Sequence, residues 1–463
     1  MAMGERREQS QGALFVSHTD LPKSQGHPFY QRLNEILRAQ GFDAFTEAQC
    51  QPFYAEVMGR PGTPPGVYFR MLLIGYFEGI DSERGIAWRC RDSLSLREFL
   101  GYGLSDAVPD HSTLSRTRRL IDLETHDAVF AWVLKLLTQA GLVGGKTLGV
   151  DATTLEANAA LRSIVNRKTK ESYEEFLTRL AQASGIATPT RQDLARIDRH
   201  RKGKGSNQEW EHPHDPDARI TKMKDGRTHL AHKQEHAVDM DSGVVVAVTI
   251  QAADQGDTRT LSQTVDEAAR QLLALQEDPQ TRAHVAEQIL SEMVLDKGYH
   301  SNDSLLYLQE MTLRTYVSEP DRGRRRWTDN PEARAAVYAN RRRVRGLRGR
   351  RLLRRRGEML ERPFAHCLET GGMRRVYLRK RDNILKRVLI HVGGYNLGIL
   401  MRKLTGIGTP RTLQGSLRDL RVGVFALWEA IFPPWRGFWT THPFPVRMHG
   451  CFQNDRGYLG VAA

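Results

Sequence analysis

The chain has 463 residues, 40% apolar and 26% charged, and 68 Lys and Arg against 54 Asp and Glu give it a net charge of +14. This composition excludes a largely disordered or fibrous protein, and no apolar run reaches the about 18 residues that a membrane-spanning helix needs. Cys50, Cys90, Cys367 and Cys451 form no CxxC pair, which excludes a paired-cysteine zinc site, so the excess of positive charge is left to be explained by a polyanionic partner.

Residues Met1 to Gln11 carry Glu5, Arg6, Arg7 and Glu8 with no signal-type apolar stretch behind them. Residues 1–27 therefore read as a flexible segment of a cytoplasmic protein without a membrane partner. Residues 28–140 read as a helical, DNA-binding domain. Pro28 to Gln40 spaces Phe29, Leu33, Ile36 and Leu37 helically, and Pro64 to Phe77 does so with Val67, Met71, Leu72, Ile74 and Tyr76. Ser93 to Leu100 and Asp110 to Ile121 follow as short helices, the second with Asp110 as its N-cap and with Ser115, Arg116, Arg118 and Arg119 on its surface. Their spacing is that of a helix-turn-helix with Arg116 and Arg118 toward DNA, and a solvated basic face is the alternative.

Lys146 to Asp151 (KTLGVD) is a short apolar strand ending in a carboxylate. Residues 160–227 lose that pattern and read as a polar, basic surface insertion with one helix, Glu171 to Ser184. A hairpin follows, His229 to Val238 and Val244 to Ile250, then an amphipathic helix, Thr258 to Leu275. Met293 to Asp296 is a second apolar strand ending in Asp; helix Ser304 to Met311 and strand Arg314 to Val317 come next. This order suits an α/β domain over residues 141–403, a five-stranded mixed sheet with flanking helices of the ribonuclease-H-like kind, with an insertion after the first strand. Residues 404–463 read as a tail, in which Phe432, Trp435, Phe438 and Trp439 suggest packing or an interaction patch.

Residues 341–356 (RRRVRGLRGRRLLRRR) hold ten arginines in sixteen positions. The interleaved Val344, Leu347, Leu352 and Leu353 favour a partly packed helix that lays arginines on phosphates, with Arg341, Arg342, Arg343, Arg356 and Arg362 as contacts. Asp151 and Asp296 end strands that are neighbours in such a sheet, and Glu361 lies on the helix that follows it. Three converging carboxylates need cations between them, and oxygen ligands without Cys or His clusters select Mg²⁺, or Mn²⁺, over zinc. Two such ions suit in-line displacement at phosphorus.

The segments PDHSTLSR (109–116), GVDATTLEANAA (149–160), HKQEHAVDMDSGVVVAVTIQAADQGDT (232–258), VLDKGYHS (294–301), RRRGEMLERPFAH (354–366) and YNLGILMRKLTGIGTPR (395–411) stand in the order found in DDE transposases of bacterial insertion sequences, which the chain resembles from about Pro28 to Gln414. The resemblance implies that Asp151, Asp296 and Glu361 are the catalytic, metal-holding acids. It also implies that the partners are the inverted repeats at the element ends and target DNA, and that the chain works as a homodimer or larger assembly on paired ends. The pattern departs from many relatives at Gly357 and Arg354, where an Arg and a Tyr are expected, and at Leu368, where a Lys is expected; Glu358 is a rival third acid. The same residues would serve a metal-dependent nuclease without strand transfer, or an inactive DNA-binding relic.

Overall fold

Helix α1 (Pro28–Ala39) buries Phe29, Leu33 and Leu37, which its spacing marks, and Tyr30, which it does not, while Ile36 is only partly buried; α2 (Phe42–Cys50) leads into α3 (Pro65–Glu78), which is buried from Tyr68 through Phe77. An all-round apolar helix belongs at the centre of a bundle, and α3 is central here. Helices α4 (Glu83–Asp92) and α5 (Leu94–Leu100) begin where Ser82 and Ser93 accept the amides of Gly85 and Leu96. Asp110 and Asp122 do the same for α6 (His111–Leu120) and α7 (Leu123–Gln139), accepting from Thr113 and Thr125. The helix-turn-helix expectation is corrected. Residues Gly101 to Asp110 form a loop tied to Arg97, whose guanidinium donates to the carbonyls of Gly103, Leu104 and Asp106, so no tight turn joins α5 to α6.

The remaining elements are β1 (Thr147–Glu156), β2 (Val165–Asn166), α8 (Tyr173–Ala183), α9 (Arg191–His200), β3 (Trp210–Glu211), β4 (Arg219–Lys222), β5 (Thr228–Asp239) and β6 (Val245–Ala252). They are followed by α10 (Asp257–Glu277), β7 (Glu292–Leu295), α11 (Asn302–Glu310), β8 (Arg314–Val317), α12 (Pro331–Arg345), α13 (Leu347–Phe364) and α14 (Arg381–Thr405). This computed structural model describes residues 26–412 apart from 56–61, 202–204, 224, 225, 322, 324, 326, 328 and 329. Most of segment 1–27 and of tail 404–463, including Phe432, Trp435, Phe438 and Trp439, lies outside the described residues.

The sheet is mixed. Strand β5 runs antiparallel to β1 on one side and to β6 on the other, while β7 and β8 continue parallel to β1. It has six strands rather than five, because β4 pairs with the first residues of β5 beyond the end of β6. The extra strand comes from the region expected to be a polar insertion. That region also shares a small core with β5 and the end of β1, in which Trp210 is buried with Ile164, Ala157 and Leu230 and the rings of Tyr173 and Phe176 meet it edge-on at 4.8 and 5.2 Å.

Strands β6 and β8 are each closed on their outer side by an asparagine. Asn396 of α14 accepts from the amide of Val245 in β6 and donates to its carbonyl, at 3.0 and 2.8 Å. Asn340 of α12 does the same for Val317 of β8, at 3.0 and 2.9 Å. Helix α14 also ties the sheet to the helical region, since buried Lys386 donates to the carbonyls of Arg118 and Ile121 and buried Arg387 to those of Leu72 and Ile80. One apolar core therefore runs from α1 to α14. Among the described residues no helix is long and apolar enough to cross a membrane.

Candidate active site

Strand register brings two of the expected acids together. Gly149 of β1 lies opposite Val294 of β7 in the parallel pair, so Asp151 and Asp296 each stand two residues further on, where the two strands part. Ligand sites in open α/β sheets favour the carboxyl ends of strands. Asp151 Oδ1 accepts from the Ala152 amide at 2.9 Å, and Asp296 Oδ1 from the Gly298 amide at 2.7 Å. Each carboxylate is thereby oriented by its own backbone, and both Oδ2 atoms turn to one cation. The Arg356 guanidinium of α13 lies 3.3 Å from Asp151 Oδ2 and 3.6 Å from Asp296 Oδ2.

Burial pushes the pKa of Asp151 up; Arg356 and the Ala152 amide oppose the shift, and the charges of Asp296 and Asp257 add to it. Asp257, the first residue of α10, was not foreseen as part of the site. A Cβ on Gly298 would lie 2.4 Å from Asp257 Oδ2 and 3.0 Å from Asp296 Oδ1, so the backbone here must be glycine for the two carboxylates to flank it. Lys233 of β5 holds Asp257 at 2.7 Å and also reaches Glu235 at 3.1 Å and Thr260 at 2.8 Å. Glu235 is fully buried and accepts from Thr260, Thr264 and Tyr299. The available signal was a lysine and a glutamate two residues apart in a strand, between His232, Gln234 and His236, followed by an acid in the first turn of a helix.

Glu361 does not join the pair. It is exposed on α13, five residues past Arg356, which is about 140° around a helix. Its buried neighbours Leu360 and Phe364 face the sheet, Phe364 stacking on His236 with ring centroids 4.3 Å apart. The rival Glu358 is exposed too and pairs with Arg362. Among the described residues no group of three or more His, Cys, Asp or Glu side chains is arranged to hold a metal ion. The two aspartates nevertheless fit a hard cation: they offer oxygen only, and they already share a positive charge.

The arginine run is two helices, broken at Gly346, and its charges divide between protein and solvent. A Cβ at Gly349 would lie 2.2 Å from the Arg343 carbonyl, which makes glycine the condition for this corner. Five of the ten arginines face protein acceptors, among them Arg341, Arg343 and Arg356, which the sequence reading lays on phosphate. Arg341 pairs with Glu319, Arg343 bonds Thr315, Arg348 pairs with Glu292, Arg355 with Asp241, and Arg356 with the aspartates. Arg342, Arg345, Arg350, Arg351 and Arg354 are exposed. In α6, Arg116 is exposed, whereas Arg118 is buried and paired with Glu83 at 2.7 Å. Arg118, Arg341, Arg343, Arg356 and Arg362 thus have protein partners, and of the expected DNA contacts only Arg116 and Arg342 are exposed.

Two family models match the chain: a Transposase domain (DUF772) over residues 18–120 and a Transposase DDE domain over residues 196–397. The second span includes Asp296, Arg356 and Glu361; Asp151 precedes it. No curated protein and no solved structure matches the chain.

Proposed function

Because the chain belongs to the DDE transposases of insertion sequences, we propose that it binds the inverted repeats at the ends of its element, hydrolyses a phosphodiester at each end and joins the exposed 3′ ends to target DNA. The observation that carries the reading is the convergence of Asp151 and Asp296, ends of adjacent parallel strands, on a single cation. Their Oδ2 atoms are the ligands for divalent metal, Mg²⁺ or Mn²⁺, in this reading. Such ions, when bound, activate a water or 3′-hydroxyl and stabilise the leaving oxygen.

The residues of the chain supply orientation. The amides of Ala152 and Gly298 fix the two carboxylates before any ligand arrives, so these two side chains need not reorient when a phosphate is bound. Lys233 keeps Asp257 beside them and offsets part of the crowding of negative charge. Glu361 enters the reading through the ERPFAH pattern, as the third acid. It reaches the pair only if α13 turns about its axis, and the π-helical stretch Ala365–Thr370 directly after α13 is a place where helical register can shift. The outward arginines Arg342, Arg345, Arg350, Arg351 and Arg354 and the α6 residue Arg116 hold DNA phosphates, and residues 28–140 take part in end binding. Two ends must be joined together, which calls for a dimer or larger assembly.

Labelled element-end duplexes incubated with the protein, Mg²⁺ and a target plasmid test the reading. Cleaved ends and joined products are expected, and Asp151→Asn is expected to abolish both while DNA binding persists. Cleavage without joining would make the protein a nuclease, and binding without cleavage a relic.

A further inference from the structure

Arg356 stands where a metal ligand set would place its ion. Its terminal nitrogen is the shared neighbour of two Oδ2 atoms whose partner oxygens are already taken by backbone amides. The guanidinium is only partly engaged: its Nε is buried and has no hydrogen-bond partner. A guanidinium has five N–H donors in a fixed fork, and this one leaves much of that capacity unused, unlike Arg341 or Arg348, each of which grips one carboxylate through two nitrogens.

A divalent ion bound to both Oδ2 atoms would sit about 2.1 Å from each. A guanidinium nitrogen at 3.3 and 3.6 Å from the same atoms then occupies overlapping space and repels the ion. The two cations are therefore mutually exclusive between the aspartates. On the same helix, Arg350, Arg351 and Arg354 are exposed. A displaced Arg356 enters the field of any phosphate those side chains hold.

We infer that Arg356 is an internal counter-ion for the aspartate pair, displaced when a divalent ion binds and thereby released to take a DNA phosphate, so that ion and DNA bind cooperatively through one side chain. The inference rests on the proposal that Asp151 and Asp296 hold metal. In the absence of DNA the guanidinium opposes ion entry and keeps the site idle; with a phosphate available the opposition disappears. Linkage makes the effect reciprocal: DNA raises the affinity for the ion by the factor by which the ion raises the affinity for DNA. Couplings of this kind typically amount to about 5- to 150-fold.

The test uses the full chain and two binding readouts. Mn²⁺ affinity without DNA is measured from the EPR signal of the free ion for wild type, Arg356→Gln, Arg356→Lys and Asp151→Asn. Affinity for a short fluorescent duplex is measured by anisotropy in Ca²⁺ and in EDTA. Arg356→Gln is expected to bind Mn²⁺ about tenfold more tightly than wild type and to lose most of the gain in DNA affinity that Ca²⁺ gives wild type. Arg356→Lys, which keeps the charge but not the fork, is expected to lie between them, and it carries the test if the Gln variant does not fold. Arg356 variants that bind Mn²⁺ no more tightly than wild type, while Asp151→Asn binds none, overturn the inference alone. Undiminished Mn²⁺ binding by Asp151→Asn overturns the metal-site reading beneath it.

Discussion

Arg348 and Arg350 lie two residues apart on α13, in the same arginine run, and the structure gives them opposite duties. Arg348 pairs with Glu292, which is 3% exposed and also accepts from Thr147 at 2.7 Å and Tyr316 at 3.2 Å. Removing one partner of a fully buried ion pair costs about 3–5 kcal/mol. Arg348 itself is 46% exposed, and Glu292 keeps its two hydroxyl donors, so Arg348→Met is expected to cost about 2 kcal/mol, below that range after discount for solvent. Arg350 is exposed, and Arg350→Met is expected to leave stability within about 0.5 kcal/mol. In DNA binding the order reverses. Each phosphate contact contributes about 0.9 to the slope of log affinity against log salt, so Arg350→Met should flatten that slope by about 0.9 and Arg348→Met should leave it unchanged. Urea denaturation and anisotropy titrations over a salt series measure the two quantities on the same preparations. Equal effects of the two substitutions on either quantity would refute the division of the run into inward and outward arginines.

Further outcomes follow from other contacts. Asn396→Ala leaves the buried amide and carbonyl of Val245 unpaired and is expected to cost about 2–4 kcal/mol in urea denaturation; a loss below about 1 kcal/mol would mean that water replaces the side chain. Gly298→Ala drives a methyl group into the space between Asp257 and Asp296 and is expected to lower strand cleavage roughly 10²-fold while the denaturation midpoint barely moves; full activity would show that these carboxylates tolerate displacement. Burial lowers the pKa of His126, His236 and His391 to about 3 each. Their stabilising contribution is complete above the unfolded value of about 6.5 and is lost as pH falls from there toward 3, at up to about 1.4 kcal/mol per pH unit for each. The raised carboxyls of Asp127, Asp151 and Asp239 act in the opposite sense, so the net slope is smaller. Unfolding free energy should still decline between pH 7 and 5.5, and a flat or rising profile counts against neutral buried imidazoles.

The aspartate pair was legible because a strand buried on both faces must be apolar, and the first acid after each run marks its carboxyl end. Helix starts were legible at Ser93 and Asp110 for a similarly local reason, since a short side chain satisfies an orphan amide within three residues. What escaped depended on phase and on distant partners. Glu361 faces solvent because the Gly346 break and the burial of Leu352, Leu360 and Phe364 set the rotation of α13, and none of these can be read from ERPFAH. The partners of Arg118 and Arg341 lie 35 and 22 residues away, so charge density alone made them look free. The small core around Trp210 was hidden because a few separated apolar residues, not a periodic run, assemble it.

The asparagines beside β6 and β8 bear on how copies of the chain can meet. An edge strand is a template: its unpaired amides and carbonyls accept any strand that arrives, including one from another molecule. Here one carboxamide on each side imitates a single residue of such a strand, donor and acceptor together, and β6 is buried along its whole length beneath its helix. Lateral growth by strand addition is foreclosed at β6 and β8. Along β6 and β8, whatever brings two copies together on a pair of DNA ends must engage helical faces, loops or the DNA itself, and a substitution at Asn340 or Asn396 would open a sticky margin as well as weaken the fold.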